Sequence, residues 1–147
     1  MELELKRGGR TARVETLGGE LVSYRDERGL EYIWGGDPAY WPGRNPLLFP
    51  IVGMLKEGKI RFDGREYAME RHGFARRREF TPAARGEDWV RLELRESAET
   101  LALFPFDFVL ESTYALEGRT LRHTLAVTNP GSKELRFGIG YHPGFNL

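Results

Sequence analysis

The chain has 147 residues, enough to enclose the core of one domain. Its 22 basic and 22 acidic residues cancel, so it has no net charge to gather nucleic acid or an anionic membrane surface, and neither is expected as a partner. It has no cysteine, which excludes disulfides and thiolate metal sites.

The N-terminus, MELELKRGGR, alternates apolar and charged residues from Met1 to Leu5 and contains no apolar signal-peptide core. No apolar run along the chain is long enough to span a bilayer as a helix, so a soluble cytoplasmic protein is expected. Leu21 to Arg25 alternates in the same way. The pairs Gly18-Gly19 and Gly35-Gly36 lack the spacing and following helix of a phosphate loop. The tract WPGRNPLLFPIVGMLKEGK, Trp41 to Lys59, packs prolines and glycines around large apolar residues. Pro50 disfavours a central strand within Leu47 to Val52 and predicts a buried, kinked crossing segment instead. KIRFDGREYAM reads as a hairpin, with Asp63-Gly64 as its turn. Asp88 to Arg95, DWVRLELR, reads as a half-buried strand.

The strongest hairpin signal is FDFVLESTYAL, EGRT, LRHTLAVTN. Phe108, Leu110, Tyr114 and Leu116 share one face of its first arm, and Leu121, Leu125 and Val127 one face of its second. Asn129-Pro130-Gly131 closes that arm. A last short strand is predicted over Leu135 to Ile139, before GYHPGFNL. No helical stripe of useful length is visible. Many short strands at regular spacing predict an all-β, antiparallel sandwich or barrel. Residues 1–147 read as a single domain or part of one, without a linker or repeat.

Three histidines are candidates for chemistry. His123 keeps register with Leu121 and Leu125 and reads as a core-face or cross-strand residue. His72, in RHGFARRREF, and His142, in GYHPGFNL, lie beside glycine or proline, off the strand pattern. Binding residues gather at such loop positions, although each histidine could simply serve a turn. Each is followed by a phenylalanine, Phe74 or Phe145. No short-spaced His, Asp or Glu accompanies either, so no metal site is expected. A serine hydrolase is a poor fit, because G-x-S-x-G is missing. Arg44 beside a pocket would grip hydroxyls or a phosphate with its planar fork. Trp34 and Trp41 offer flat faces that suit a sugar ring as well as a core.

RNPLLFPIVGMLKEGKIRFDGREY, RHGFARRREF and FGIGYHPGFN occur in that order, with PFDFVLESTYALEGRTL between the last two. Together they resemble the aldose 1-epimerases, or galactose mutarotases. The resemblance implies an antiparallel β-sandwich of the galactose-mutarotase (supersandwich) type, incomplete in this chain. It implies interconversion of the α and β anomers of a hexose or hexose phosphate, without a cofactor. His142 matches the family's general acid, and His72 matches a histidine that hydrogen-bonds the substrate. Arg44 or Lys56 matches a basic side chain that helps to hold the sugar. Arg76 resembles a residue that contacts phosphate in relatives preferring sugar phosphates. Phe74 and Asn146, within the two histidine pieces, complete the expected substrate-binding set. The family's base is a glutamate well beyond the second histidine. This chain stops at Leu147, so that base is expected to be missing from it. Self-association, or a second chain, is expected to complete the fold. The alternative reading is a non-catalytic carbohydrate-binding protein on the same scaffold.

Overall fold

The computed structural model describes all residues, 1–147. Alternation with period two gives each strand one apolar face, and two antiparallel sheets bury those faces against each other. β1 (Glu2–Arg7), β2 (Arg10–Glu15) and β3 (Glu20–Arg25) form the first, in that order. The chain then runs through a two-residue strand, β4 (Leu47–Leu48), and a hairpin, β5 (Lys59–Phe62) with β6 (Arg65–Ala68). β7 (Thr81–Arg85), β8 (Trp89–Arg95), β9 (Val109–Glu117) and β10 (Thr120–Thr128) make the second sheet, ordered β10-β9-β8-β7. β11 (Gly140–Tyr141) returns to pair with β4.

Leu3, Leu5, Ala12, Val14 and Leu21 of the first sheet share one buried cluster with Val90, Leu92, Leu94, Leu110, Tyr114 and Leu116 of the second. The Tyr114 hydroxyl donates to the Gly19 carbonyl at 2.9 Å, tying the β2–β3 turn to the middle of the opposite sheet. A second focus of the core is aromatic. The Phe49 ring lies 6.1 Å from Phe74, 6.2 Å from Phe104, 5.2 Å from Phe108 and 5.7 Å from Phe137. Most of these pairs are tilted or edge-on, the arrangements that ring quadrupoles favour.

Both expected hairpins are present. Ile60 faces Tyr67 and Phe62 faces Arg65 across a turn in which Asp63 and Gly64 both have positive φ, at 48° and 80°. That is the turn whose twist matches the strands. β9 and β10 join through Gly118-Arg119, and Leu116 faces Leu121. The segment around Pro50 is a buried crossing as expected, with a cis Phe49–Pro50 bond.

The strand expected over Leu135 to Ile139 does not form. Leu135 and Ile139 pack on the core, but the backbone makes one sheet-like bond, Gly138 N–H to the Pro50 carbonyl at 2.8 Å. Pro50 has no N–H to return, so a ladder cannot grow there. Only Gly140 and Tyr141 pair, with Leu48 and Leu47. A short helix, α1 (Ala98–Leu101), is also present, capped by Ser97 and Thr100 in a reciprocal box. No helix is long and apolar enough to cross a membrane.

His123 takes the cross-strand place expected of it. Its ring stacks on Tyr114 at 4.1 Å and meets the edge of Tyr141 at 4.6 Å, with Nε2 2.9 Å from the Ser112 hydroxyl. Burial pushes its pKa down to about 4. The folded value lies below the unfolded one, so the stability that neutral His123 confers is complete above about pH 6.5 and is lost as pH falls toward 4. The melting temperature is therefore expected to drop across that window, and to drop less in His123→Phe, as read by calorimetry. Phe49→Ala is expected to cost about 3–5 kcal/mol in urea unfolding, since four rings lose their common neighbour.

Candidate functional site

The two loop histidines hang from one piece of backbone, the strap from Pro46 to Gly53. On one side β4 pairs with β11, and the next residue along, His142, donates its backbone N–H to the Pro46 carbonyl at 3.2 Å. On the other side the Phe49 carbonyl accepts from the N–H groups of Phe74 (2.9 Å) and Ala75 (3.2 Å). Gly73 forms a parallel bridge with Phe49 there. A methyl group at Gly73 would overlap the Phe49 carbonyl, and the φ of Gly73 is 71°, so only glycine fits.

His72 is clamped at the end of this strap. Its backbone N–H donates to the Gly53 carbonyl at 2.7 Å, and its Nδ1 accepts from the Gly53 N–H at 3.0 Å. An accepting Nδ1 carries no proton, so the neutral ring keeps its hydrogen on Nε2. Burial, then the charges of Arg76, Arg71 and His142, hold its pKa below the ordinary histidine range. The φ of His72 is 68°, a left-handed conformation that costs a non-glycine residue on the order of 1–3 kcal/mol. The paired Gly53 bonds and the Phe49 carbonyl hold it there.

His142 is exposed, with the Trp41 ring 5.4 Å away and tilted by 40°. Gly144 follows, and its N–H donates to the Arg44 carbonyl at 2.7 Å while its carbonyl accepts from Trp34 N–H at 3.0 Å. A side chain at Gly144 would meet Trp41, Trp34 and the Arg44 carbonyl. Both tryptophans are thus held at the His142 loop. Two hollows lie elsewhere, about 510 Å³ beside Phe62 and Phe106 and about 350 Å³ between Tyr24, Tyr32 and Arg119.

The other expected site residues divide. Arg76 lies in the turn after His72, where its Nη2 donates to the Arg71 carbonyl at 2.9 Å and its buried Nε has no partner. The Arg44 backbone N–H donates to the Glu20 carboxylate at 2.8 Å, and its carbonyl accepts from Gly144. Its Nε donates to the Gly35 carbonyl at 3.2 Å and its Nη1 stands 3.9 Å from Glu15, so its fork is partly occupied. Lys56 is exposed at the start of a one-turn 3-10 helix, Lys56–Gly58. Phe74 is not at the surface. Its ring is buried in the aromatic core, because the backbone reverses at Gly73 and turns the next side chain inward. Asn146 spends its amide on the carbonyls of Glu31 (3.0 Å) and Ile33 (2.9 Å), and so latches its segment to the chain after β3. Gly53, whose N–H fixes the His72 ring, was not expected. Nothing in a lone glycine announces that role. Arg71 was also missed, although its place next to His72 was a usable signal.

Compared with known families, residues 1–147 match the aldose 1-epimerases from end to end. The chain belongs to the aldose 1-epimerase family. Two LacX proteins of Lactococcus lactis, plasmid and chromosomal, are 39% and 38% identical over 99% of this chain. The chain spans about half the length of these curated relatives, 51% of each. A galactose mutarotase related enzyme of Lactobacillus acidophilus superposes over 100% of the chain with a TM-score of 0.97, at 30% identity and over 49% of its own length. A galactose mutarotase-like protein of Lactobacillus casei does so with a TM-score of 0.96, at 33% identity and over 50% of its length. The sandwich is therefore of the galactose-mutarotase type, matching about half of the length of these two structures.

Gly73→Ala is expected to push the Phe74–Arg77 turn off the Phe49 carbonyl and release His72 from Gly53. By NMR titration, the pKa of His72 is expected to rise toward 6.5 in the variant, as it regains water. Thermal stability should fall by about 1–3 kcal/mol with the lost bonds.

Proposed function

We propose that this chain supplies two of the groups with which an aldose 1-epimerase interconverts the α and β anomers of a hexose or hexose phosphate. Opening a cyclic hemiacetal moves two protons. One leaves the anomeric hydroxyl, and one reaches the ring oxygen as its bond to C1 breaks. Rotation about C1–C2 and closure on the other face of the aldehyde return the protons and give the other anomer. An imidazole suits the acid role because its proton is exchanged near neutral pH.

In this reading His142, exposed beside Trp41, gives the ring oxygen its proton and takes it back. The Trp41 face supports the C–H face of the pyranose. His72, neutral and with its hydrogen on Nε2, donates to a sugar oxygen. Its fixed tautomer makes it a positioned donor and leaves proton transfer to His142. Arg76, tethered beside it, is the candidate contact for a phosphate on the sugar. The base is the family's glutamate, supplied from beyond these 147 residues. The observation that carries the reading is the suspension of both histidine loops from the Pro46–Gly53 strap.

The test is calorimetry with glucose, galactose and their 6-phosphates, alongside polarimetry of freshly dissolved α-anomers. The 147-residue chain is expected to bind sugar and to turn anomers over little or not at all. His72→Ala should weaken binding roughly tenfold, the worth of one hydrogen bond of about 1.4 kcal/mol. No binding to any of the four ligands, or full turnover by the chain alone, would count against the proposal.

A further inference from the structure

Glu15 and Glu20 face each other directly across the β2–β3 hairpin. Like charges opposite one another on neighbouring strands destabilise a sheet, so the hairpin alone gains nothing from this pair. Both carboxylates reach the same bend, at Arg44-Asn45. Glu20 Oε1 accepts from the backbone N–H of Arg44 at 2.8 Å and from that of Asn45 at 2.6 Å. Glu15 Oε1 stands 3.9 Å from Arg44 Nη1. A further bond runs from Nδ2 of the fully buried Asn45 to the Leu21 carbonyl at 2.7 Å.

The carbonyl side of the same segment carries His142. The Arg44 carbonyl accepts from Gly144 N–H at 2.7 Å, and the Pro46 carbonyl accepts from His142 N–H at 3.2 Å. The His142 loop is thus fastened on both sides of its proline to Arg44 and Pro46. Those residues lie in no strand, so no ladder fixes them. Pro46 has no N–H, which leaves Arg44 and Asn45 as the only backbone donors of the segment. One oxygen of Glu20 takes both.

We propose that Glu20 is a positioning residue for the sugar site, which rests on the reading of His142 as a group that acts on sugar. Its carboxylate fixes Arg44 to Pro46, and through them the place of His142 beside Trp41. Glu20 acts through two backbone N–H groups rather than on either imidazole. What the role demands is therefore an acceptor oxygen at the right reach, more than a charge. Glutamine keeps the reach and a carbonyl oxygen but gives up the charge. Aspartate keeps the charge and draws it back by one methylene. The order of these two variants separates positioning from electrostatics.

The test compares Glu20→Asp and Glu20→Gln in the 147-residue chain, with Ser97→Ala as a control that uncaps α1 and touches none of these residues. By hydrogen exchange, Glu20→Asp is expected to lose at least about tenfold protection at Gly144 N–H, the worth of one hydrogen bond, while the β8–β9 ladder keeps its own. The NOE between the His142 ring and the Trp41 indole should weaken with it. Glu20→Gln should keep the NOE and stay within about threefold of the wild-type protection. Ser97→Ala should lower the melting temperature and leave both signals in place. Where the wild-type chain binds glucose, galactose or a 6-phosphate in calorimetry, Glu20→Asp should bind it roughly tenfold more weakly. Wild-type signals in Glu20→Asp, equal losses in Glu20→Gln or Ser97→Ala, or an unchanged sugar affinity in Glu20→Asp overturn the proposal. A loss that extends through the β8–β9 ladder marks a general structural role and overturns it too. A wild-type chain that binds no sugar counts against the sugar reading of His142, whereas exchange and the NOE still decide the role of Glu20.

Discussion

The Phe49 carbonyl is where core and site meet. Its oxygen accepts from Phe74 and Ala75, its residue bridges Gly73, and its own ring is the hub of the aromatic cluster. A buried carbonyl left unpaired is costly, so the turn bearing His72 is bound to the core by the same need that makes strands pair. Two residues earlier, Leu47 pairs with Tyr141, next to His142. One short extended segment therefore sets the height of both imidazoles. The burial of Leu47, Leu48, Phe49 and Ile51 fixes that segment. Packing in the core and geometry at the surface are one constraint here.

The histidines differ in what their surroundings let them do. His123 is enclosed by two tyrosine rings and a serine, and it behaves as a packing residue that happens to carry nitrogen atoms. His72 has one nitrogen committed to a backbone N–H, and burial, then the Arg76 and Arg71 guanidinium groups, act against a second proton. It is pre-organised as a neutral donor. His142 alone is exposed and has its ring beside an indole. The same side chain thus takes three chemical characters in one small sheet protein, decided by hydrogen-bond partners and exposure.

Much of this was legible in the sequence, and the exceptions have physical causes. The two hairpins were clear because Asp63-Gly64 and Gly118 supply the positive φ that tight turns need. The histidine pieces stood out because glycine and proline broke the alternation around them. β7 was not visible, since TPAAR offers only proline and alanine as apolar residues and takes its shape from β8. Leu135 to Ile139 announced the correct buried side chains but not its missing ladder, which depends on Pro50 in a distant segment. Phe74 reads like a lining residue in one dimension. Only the reversal at Gly73 sends it into the core. Asn146 likewise has its amide claimed by carbonyls over a hundred positions earlier, at separations of 115 and 113 residues. Local pattern finds faces and turns, whereas the partner across the sheet is a tertiary fact.

Those long separations also set an order of events. Gly144 threads between Trp34, Trp41 and the Arg44 carbonyl, and Asn146 fastens behind it. Contacts that close such long loops form late, after local hairpins have collapsed. As the polypeptide leaves the ribosome, the β1–β3 meander can assemble early, while the two indoles wait uncovered for a segment not yet made. The surface that carries His142 is thus completed after the meander, by contacts between segments far apart along the chain.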